Sequence, residues 1–454
     1  MLTSRHLVGS ERHHADAVPG AMADARGGGT PPQAAREHAT LPPPREGSRR
    51  LRIAVPLLAG HEWMGGVNYV LSLVKALGEL PEAERPEIVL VVVPGTLAAL
   101  DHHAAALTRI DEFAFVGSPN PPPARPKFEA YASLDELFER VDLMIPLLVQ
   151  AQPGKAAASW VPDFQHHHLP QYFSATELAH RESWERTIAT GANLMILSSE
   201  SARRDWQRLH PHAVPEITIL RFRTSPDDSW YQGDPIAVAD KHGLPSRFLI
   251  ACNQFWQHKG HDTLFEALAV ARAAGVELDL VCTGGTADHR SASYFPELEA
   301  RLTTTGLAAR VHLLGLVPRA EQIALIRRSL AVVQPSRFEG WSTVVEDARA
   351  LGKELVLSDI DVHREQAPPY ATYFKTGDAH DLARALAHVW RHGEPGPSLA
   401  KEHLAREESR ELVREYGRTV CALAREAPRI LGRAAWRRSR SLPGSGTGTG
   451  TALG

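Results

Sequence analysis

The sequence predicts an α/β fold that is made of two parallel-sheet domains. Short apolar runs alternate with segments of helical spacing, and this alternation starts near residue 51 and again near residue 248. Continuous apolar strands separated by helices are typical of parallel strands that are covered on both faces. A chain of 454 residues also has the length of two domains, at roughly 100–200 residues per domain.

The first series contains five predicted strands, and the second series contains five more. The first strands are RIAVPLL, IVLVVV, DLMIPLLV, NLMILSS and ITILRF, and a helical pattern follows Gly65 and Gly66. The second are FLIACNQ, LDLVCTGG, RVHLLG, LAVVQPS and ELVLSD, with helical patterns after the first and the fourth. Ligands of open parallel sheets bind beyond the carboxyl ends of the strands, so we expect a cleft where two such edges face each other.

The two ends of the chain differ in composition from the rest. The beginning is rich in Ala, Gly, Pro, Arg and His, and the end reads SLPGSGTGTGTALG. Neither can bury enough apolar surface to offset the entropy of ordering. A Pro-, Asp- and Ser-rich stretch marks the linker between the domains. We expect disorder at 1–49 and 436–454, a first domain at 50–222, a second domain at 223–400, and C-terminal helices at 401–435, the first of which crosses back to the first domain.

The composition argues against several classes of protein. The formal net charge of −3 gives no general attraction to nucleic acid. The longest apolar runs are far shorter than the ~20 residues of a membrane-spanning helix, and no apolar core of a signal peptide is visible near the N-terminus. Cys252, Cys282 and Cys421 lie far apart in no ligand spacing, which indicates free thiols in a reducing compartment. We therefore expect a cytoplasmic protein without nucleic-acid partners.

The stretch RFEGWSTVVEDARALGK places three carboxylates around a glycine turn and a helix start. Glu339 precedes Gly340 at a strand end, whereas Glu346 and Asp347 lie in the first turns of the helix. The spacing of Thr343 and Glu346 predicts a capping box, which leaves Asp347 free for a ligand. Helix N-termini favour anions and carboxylates bind hydroxyl groups, so the pattern predicts a ligand that carries both phosphate and hydroxyls. The alternative is a surface helix whose acids complement its dipole.

Three further stretches supply polar candidates. In NQFWQHKGHDTL a lysine–glycine pair follows a strand, and lysine is a compact charge for phosphate; the alternative is a solvated lysine in a loop. The glycine pair of HEWMGG lies between the first strand and helix, where a tight turn would also explain it. In WVPDFQHHHLPQYFS, Asp163, Gln165 and His166 are the polar candidates. Three adjacent histidines suggest a metal, but sequence neighbours point in different directions, so we expect none.

Together these blocks resemble the signature of retaining glycosyltransferases of family 4, over residues 51–395. The resemblance implies the GT-B fold, in which two Rossmann-like domains face each other across a cleft. In that family a Glu, seven residues and a second Glu form the central motif, which here gives Glu339 and Asp347. The family's diphosphate-binding Arg is replaced by Gln254, and the His that often precedes Asp163 is replaced by Pro162.

The resemblance also implies roles for individual residues. The catalytic candidates are Glu339, Lys259, Asp163 and His166. The substrate-binding candidates are Gly65, Gly66, Gln254, Gly260, Gly340, Trp341, Ser342, Thr343 and Asp347. Glu339 would contact the donor sugar, Asp347 the ribose and Lys259 the diphosphate. The first domain would bind the acceptor and the second domain the nucleotide sugar, and no metal or cofactor is implied beyond the nucleotide diphosphate sugar itself.

The predicted activity is transfer of a hexose with retention to a saccharide or lipid-linked acceptor, in polysaccharide or glycolipid synthesis. One alternative is a nucleotide-sugar epimerase of the same architecture, which would need further acids and bases in the cleft. Another is a non-catalytic nucleotide-sugar-binding protein, because two positions depart from the family's motif.

The basic end of the chain suggests contact with a membrane surface. The segment APRILGRAAWRRSR follows the last predicted helix. Cationic side chains there would attract anionic lipid, and a tryptophan would sit at the interface. The residues are Arg433, Trp436, Arg437, Arg438 and Arg440. The alternative is a solvated basic end of a helix.

Overall fold

The computed structural model describes residues 49–57, 64–93, 109–117 and 127–441, and within them it confirms two parallel sheets. The first domain holds eight strands: β1 (Arg52–Pro56), β2 (Glu87–Val92), β3 (Glu112–Val116), β4 (Phe128–Tyr131), β5 (Leu143–Leu148), β6 (Ala157–Trp160), β7 (Leu194–Leu197) and β8 (Glu216–Ile219). Their order is β4-β3-β2-β1-β5-β6-β7-β8, and all neighbours are parallel.

The second domain holds six parallel strands. They are β9 (Leu249–Cys252), β10 (Leu280–Thr283), β11 (Val311–Gly315), β12 (Val332–Gln334), β13 (Leu355–Ser358) and β14 (Ala371–Phe374). Their order is β11-β10-β9-β12-β13-β14. Because β9 and β12 lie side by side at the centre, the loops at their carboxyl ends are neighbours.

The helices connect and cover the strands. In the first domain they are α1 (Met64–Gly78), α2 (Leu134–Phe138), α3 (Gln165–His168), α4 (Ala175–Gly191) and α5 (Glu200–Leu209). The linker region holds α6 (Ser229–Gln232) and α7 (Pro235–Lys241). The second domain holds α8 (His261–Ala273), α9 (Tyr294–Thr304), α10 (Arg319–Arg328), α11 (Thr343–Ala350), α12 (Asp361–Gln366) and α13 (Ala379–His392), and α14 (Leu399–Ser441) ends the described chain.

The structure contains four strands that the apolar runs do not predict, namely β3, β4, β6 and β14. Strand β4 is largely exposed, so it lacks an apolar run. Strand β6 lies inside the first sheet, but it is built from small residues, with Ala157, Ala158 and Ser159 before Trp160. The neighbouring strands and helices bury β6, and the residues of β6 alone do not reveal this burial.

Helix α14 joins the two domains. The sequence predicts several C-terminal helices at 401–435, whereas the structure has one helix of 43 residues that continues to Ser441. Its middle packs on α1 and contributes Tyr416 and Val420 to the apolar core of the first domain. Near its start, Glu402 pairs with buried Arg327 of the second domain at 2.7 Å. Within the described part of the chain, none of the helices combines the length and apolar character that a bilayer crossing needs.

Lys353 lies in the turn after α11 and is buried next to α14. Its Nζ donates to the carbonyl oxygens of Arg327 and Gly396, each at 3.2 Å. Burial, which excludes water from the ammonium, lowers the pKa of Lys353 to about 7 from an ordinary value of 10.5. The folded protein therefore releases this proton more easily than the unfolded chain does.

We expect Lys353 to make stability depend on pH. Between about pH 7 and 10.5 the unfolded chain keeps the proton that the folded state has lost, so the free energy of unfolding rises with pH. The slope is at most about 1.4 kcal/mol per pH unit. Urea unfolding of the wild type and of Lys353→Met from pH 6 to 9.5 gives the free energy of unfolding of both proteins. The contribution of Lys353 is the change with pH in the difference between these two free energies. A difference that does not change with pH would contradict this assignment.

Candidate functional site

The centre of the candidate site is an ion pair between two predicted residues. Lys259 ends a 3₁₀ turn (Gln257–Lys259) that follows β9, and Glu339 lies in the loop that follows β12. The Nζ of Lys259 is 2.8 Å from Oε1 and 2.9 Å from Oε2 of Glu339. The pair therefore lies beyond the carboxyl ends of the two central strands, where the sheet topology predicts the ligand.

Glu339 is held by more than this cation. The side chains of Gln334 and Ser336 donate hydrogen bonds to its Oε1 at 2.9 and 2.6 Å. Burial raises the pKa of Glu339, but the ammonium of Lys259 and these hydrogen bonds lower it, and the pKa is about 2. Glu339 is therefore an ionised and fixed acceptor at neutral pH, which suits a sugar hydroxyl.

Gly260 makes the ion pair possible because it lets two loops touch. Its φ is +74°, and a Cβ at this position would lie 2.2 Å from the carbonyl oxygen of Pro335. Both features exclude other residues: the left-handed backbone disfavours a side chain, and the space is occupied by backbone. The turn that carries Lys259 is thereby pressed against the loop that carries Glu339.

We expect Gly260→Ala to destabilise the protein by about 2–4 kcal/mol, because left-handed strain and a backbone clash add. Gly154→Ala is the matched control, since Gly154 has a φ of +76° and nothing within 4 Å of its Cβ position. The control should lose only about 1 kcal/mol. Chemical denaturation measures the loss of stability in both variants. Equal losses would show that the close approach to Pro335 does not add to the cost of the Gly260 substitution.

Gly340 and Trp341 lie at the contact between the two domains. The sequence predicts that Gly340 admits a ligand, but in this structure its neighbour is the first domain. A Cβ on Gly340 would lie 2.3 Å from the carbonyl oxygen of Pro162 and 2.9 Å from Cβ of Asp163. The Nε1 of Trp341 donates to the carbonyl oxygen of Phe222 at 2.9 Å. The structure thus brings Asp163 next to the Glu339–Gly340 turn, in a closed arrangement of the domains.

Arg290 belongs to the same interface and was not among the predicted residues. It follows the glycine pair after β10, and its Nη1 donates to Oε1 of Gln165 in the first domain at 3.1 Å. Its guanidinium lies 4.2 Å from the ring centre of Phe173 and 5.7 Å from that of Trp256. Its Nε is buried and has no hydrogen-bond partner in the described residues. Burial and the nearby Arg181 lower the pKa of Arg290, whereas the carboxylates of Glu177, Asp288 and Asp163 raise it.

The start of α11 differs from the predicted capping box. Ser342 is the N-cap, and its Oγ accepts from the backbone N–H of Val345 at 3.5 Å. Thr343 is therefore the first helical residue and is one position too late to cap. The carboxylate of Glu346 instead accepts from Arg223 and Gln366, both at 2.9 Å. The predicted capping box is wrong because the cap shifted by one residue.

Asp347 is buried rather than open to solvent. Its Oδ1 accepts from Thr224 at 2.8 Å and from Arg319 at 2.6 Å. Thr224 belongs to the linker between the domains, and Arg319 begins α10 after β11. A ribose hydroxyl would have to bind a carboxylate that already accepts from Thr224 and Arg319. The role implied for Asp347 therefore stays a prediction.

The remaining predicted residues lie near the first sheet's carboxyl edge or in the loop after β9. Gly65 and Gly66 are in the first turn of α1; the preceding residues 58–63 are outside the described part, and only the backbone of Gly65 is described. Gln254 is partly exposed beside the turn of Lys259. His166 is buried, with Nε2 2.9 Å from Oε1 of Glu185. The structure thus gathers Lys259, Gly260, Glu339, Gly340 and Asp163, and sets Asp347 and His166 in separate clusters.

The predicted membrane segment is only partly described. Arg433 pairs with Glu216 at 2.9 and 2.8 Å, which ties it to the first domain. Residues 436–441 continue α14 as backbone. The side chains of Trp436, Arg437, Arg438 and Arg440 lie outside the described residues.

Comparison with known proteins identifies a domain and a fold. Residues 239–403 match the family model described as glycosyl transferases group 1. No curated protein matches the chain at a significant level. The segment matched includes the turn of Lys259, the loop of Glu339 and helix α11.

Solved structures resemble this chain over most of its length. A glycosyltransferase from Rickettsia africae superposes with a TM-score of 0.53 at 14% identity, over 86% of this chain and 99% of that one. WaaG, a glycosyltransferase involved in lipopolysaccharide biosynthesis, gives 0.52 at 13% identity, over 84% and 99%. HepE of Anabaena, solved with UDP and glucose, gives 0.50 at 16% identity, over 86% and 100%. The predicted GT-B fold is thereby confirmed.

Proposed function

We propose that this chain is a glycosyltransferase of group 1, whose family model matches residues 239–403, and that it moves a hexose from a nucleotide diphosphate sugar to an acceptor hydroxyl with retention of configuration. The observation that carries the proposal is the Lys259–Glu339 pair. The ammonium of Lys259, a cation for phosphate, lies 2.8 Å from the carboxylate of Glu339, an ionised acceptor for hydroxyls. A nucleotide sugar needs both groups this close together, because its phosphate is bonded directly to its sugar.

Two cations would hold the diphosphate. Lys259 supplies one charge, and Arg290 supplies the second in place of the arginine that Gln254 replaces. Arg290 stacks beside Trp256, three residues before Lys259, so the two cations border the same turn. Its buried Nε makes no hydrogen bond among the described residues and has only a longer ion-pair contact, 3.8 Å, with Oε1 of Glu177, so it can donate to a phosphate oxygen. Charged donors fixed before the reaction stabilise the departing diphosphate without reorganisation.

The sugar would lie between Glu339 and Asp163. As the bond from the anomeric carbon to the diphosphate oxygen breaks, its electron pair leaves with the diphosphate. The acceptor oxygen forms the new bond to that carbon on the face from which the diphosphate leaves, which retains the configuration, and this oxygen loses its proton. Asp163 is the candidate to take this proton, since it lies against Gly340. No group beyond these side chains and the donor is required, so the proposal includes no cofactor.

The acceptor is proposed more broadly, as a saccharide or a lipid-linked saccharide. The chain shares its fold with WaaG, which acts in lipopolysaccharide biosynthesis, and with HepE, which was solved with UDP and glucose. On this ground, and on the match to the group 1 family model, we propose that this chain uses a uridine or related nucleotide donor. We also propose a role in polysaccharide or glycolipid synthesis.

Incubation with a panel of nucleotide diphosphate sugars tests the function. Release of nucleoside diphosphate together with a glycosylated acceptor, and retention of the anomeric configuration in the product, is the expected result. A new nucleotide sugar with no released diphosphate would show an epimerase. Protection against thermal unfolding without turnover for any donor or acceptor would show a binding protein.

We expect both proposed cations to be needed for turnover. Lys259→Ala should lower kcat/KM by about 10²-fold, comparable to the loss of one fixed donor in the transition state. Arg290→Gln should lower it by about 10-fold or more while it leaves the Lys259–Glu339 pair intact. Lys241→Ala is the control, since Lys241 forms an exposed pair with Glu321. Wild-type kcat/KM in folded Arg290→Gln would remove Arg290 from the donor site.

The membrane hypothesis applies to the end of α14. If the protein works at the inner face of a membrane, Arg437, Arg438 and Arg440 should each add about 1 kcal/mol of attraction to anionic lipid. Replacing these three arginines by Gln should abolish co-sedimentation with phosphatidylserine vesicles at low salt, whereas Arg391→Gln on α13 should not. Absence of wild-type binding, or binding that survives the triple replacement, would rule the hypothesis out.

A further inference from the structure

Three histidines surround one buried carboxylate in the first domain. His166 and His167 lie on α3, Glu185 lies on α4, and His210 follows α5. The Nε2 atoms of His166 and His210 are each 2.9 Å from a carboxylate oxygen of Glu185, and that of His167 is 3.1 Å away. Ligand atoms of His166, His167 and Glu185 all lie within 4.8 Å of one another. The sequence predicts that neighbouring histidines diverge, but α3 is one short turn, and both rings reach the same carboxylate.

Hydrogen bonds account for only part of this cluster. The contacts of His167 and His210 with Glu185 have hydrogen-bond geometry. His166 is 3% exposed, and neither of its ring nitrogens has a hydrogen-bond partner among the described residues. Its Nε2 is close to the carboxylate, but the N–H direction misses the oxygen. A buried imidazole whose only polar contact is this misaligned ion pair requires an explanation.

A metal ion explains why Nε2 of His166 lies close to the carboxylate without a hydrogen bond to it. Ligands of an ion point to a common centre, not at one another. Zinc binds His nitrogen at about 2.0–2.1 Å in a tetrahedral arrangement, which puts neighbouring ligand atoms about 3.3 Å apart. The spacings of 2.9 and 3.1 Å here are shorter by a few tenths of an ångström, so a small outward movement of the rings admits the ion. Two imidazoles and one carboxylate are also a donor set that zinc prefers.

We propose that His166, His167 and Glu185 bind a Zn²⁺ ion, with water as the fourth ligand and His210 as the partner that orients the carboxylate. His210 would hold Oε2 of Glu185, as outer partners commonly hold ligating carboxylates. His167 and His210 are partly exposed, which gives the ion a path to the site. The ion would fasten α3 to α4, and α3 begins two residues after Asp163.

The experiment uses the full chain without a polyhistidine tag, stripped with EDTA and then loaded with ZnCl₂ alone. After gel filtration we expect about one zinc per chain by elemental analysis and a higher melting temperature than in the stripped protein. Glu185→Gln and His167→Ala should each weaken zinc binding at least 10-fold by calorimetry. Co²⁺ loading of the wild type should give the visible absorption of a tetrahedral nitrogen–oxygen site, a readout that needs no variant.

The chain offers a matched control for adventitious binding. His388 and His392 are exposed one turn apart on α13, with ring centres 4.8 Å apart, which is the usual geometry of a fortuitous surface chelate. Replacing both by Ala should leave the zinc content unchanged. The proposal would be overturned if zinc is lost with this pair, or if zinc persists in folded Glu185→Gln and His167→Ala. It would also be overturned if the wild type shows no bound zinc and no tetrahedral cobalt spectrum.

Discussion

The ion pair of Lys259 and Glu339 is the interaction on which the proposed activity depends. It forms because β9 and β12 are neighbours in a parallel sheet and because Gly260 allows their loops to touch. A nearly buried carboxylate without a cation would take up a proton or resist burial. The pair thus stabilises the loops, and it holds both charges in the positions that a phosphate and an adjacent sugar require.

Local motifs made the second domain predictable. The lysine–glycine turn and the Glu339–Gly340 turn are short segments at strand ends, so sequence alone indicated their place at the carboxyl edge of the sheet. Prediction failed where partners come from distant segments. Glu346 accepts a hydrogen bond from Arg223 of the linker rather than from the N-cap backbone of its own helix. Strand β4 has no apolar run because it is a largely exposed edge strand, which is defined by its pairing with β3.

The interface between the domains shows a second limit of sequence reasoning. Arg290 belongs to no recognisable motif, and its importance becomes visible only when Gln165 and Phe173 of the first domain pack against it. The same holds for His166, whose relation to Glu185 spans 19 residues and arises from the packing of two helices. Contacts between segments that are distant in the sequence were therefore the part of the site that required the structure.

The most direct test of the central claim compares the binding of the nucleotide sugar with the binding of the nucleoside diphosphate, which lacks the sugar. With the donor found in the panel, calorimetry on Glu339→Gln should show at least a 10-fold loss of affinity for the nucleotide sugar, since a hydrogen bond to a charged group contributes about 1.5–3 kcal/mol. Affinity for the corresponding nucleoside diphosphate should stay the same or rise, because Lys259 is then freed from its partner. Equal loss for both ligands, or no loss for either, would contradict the account.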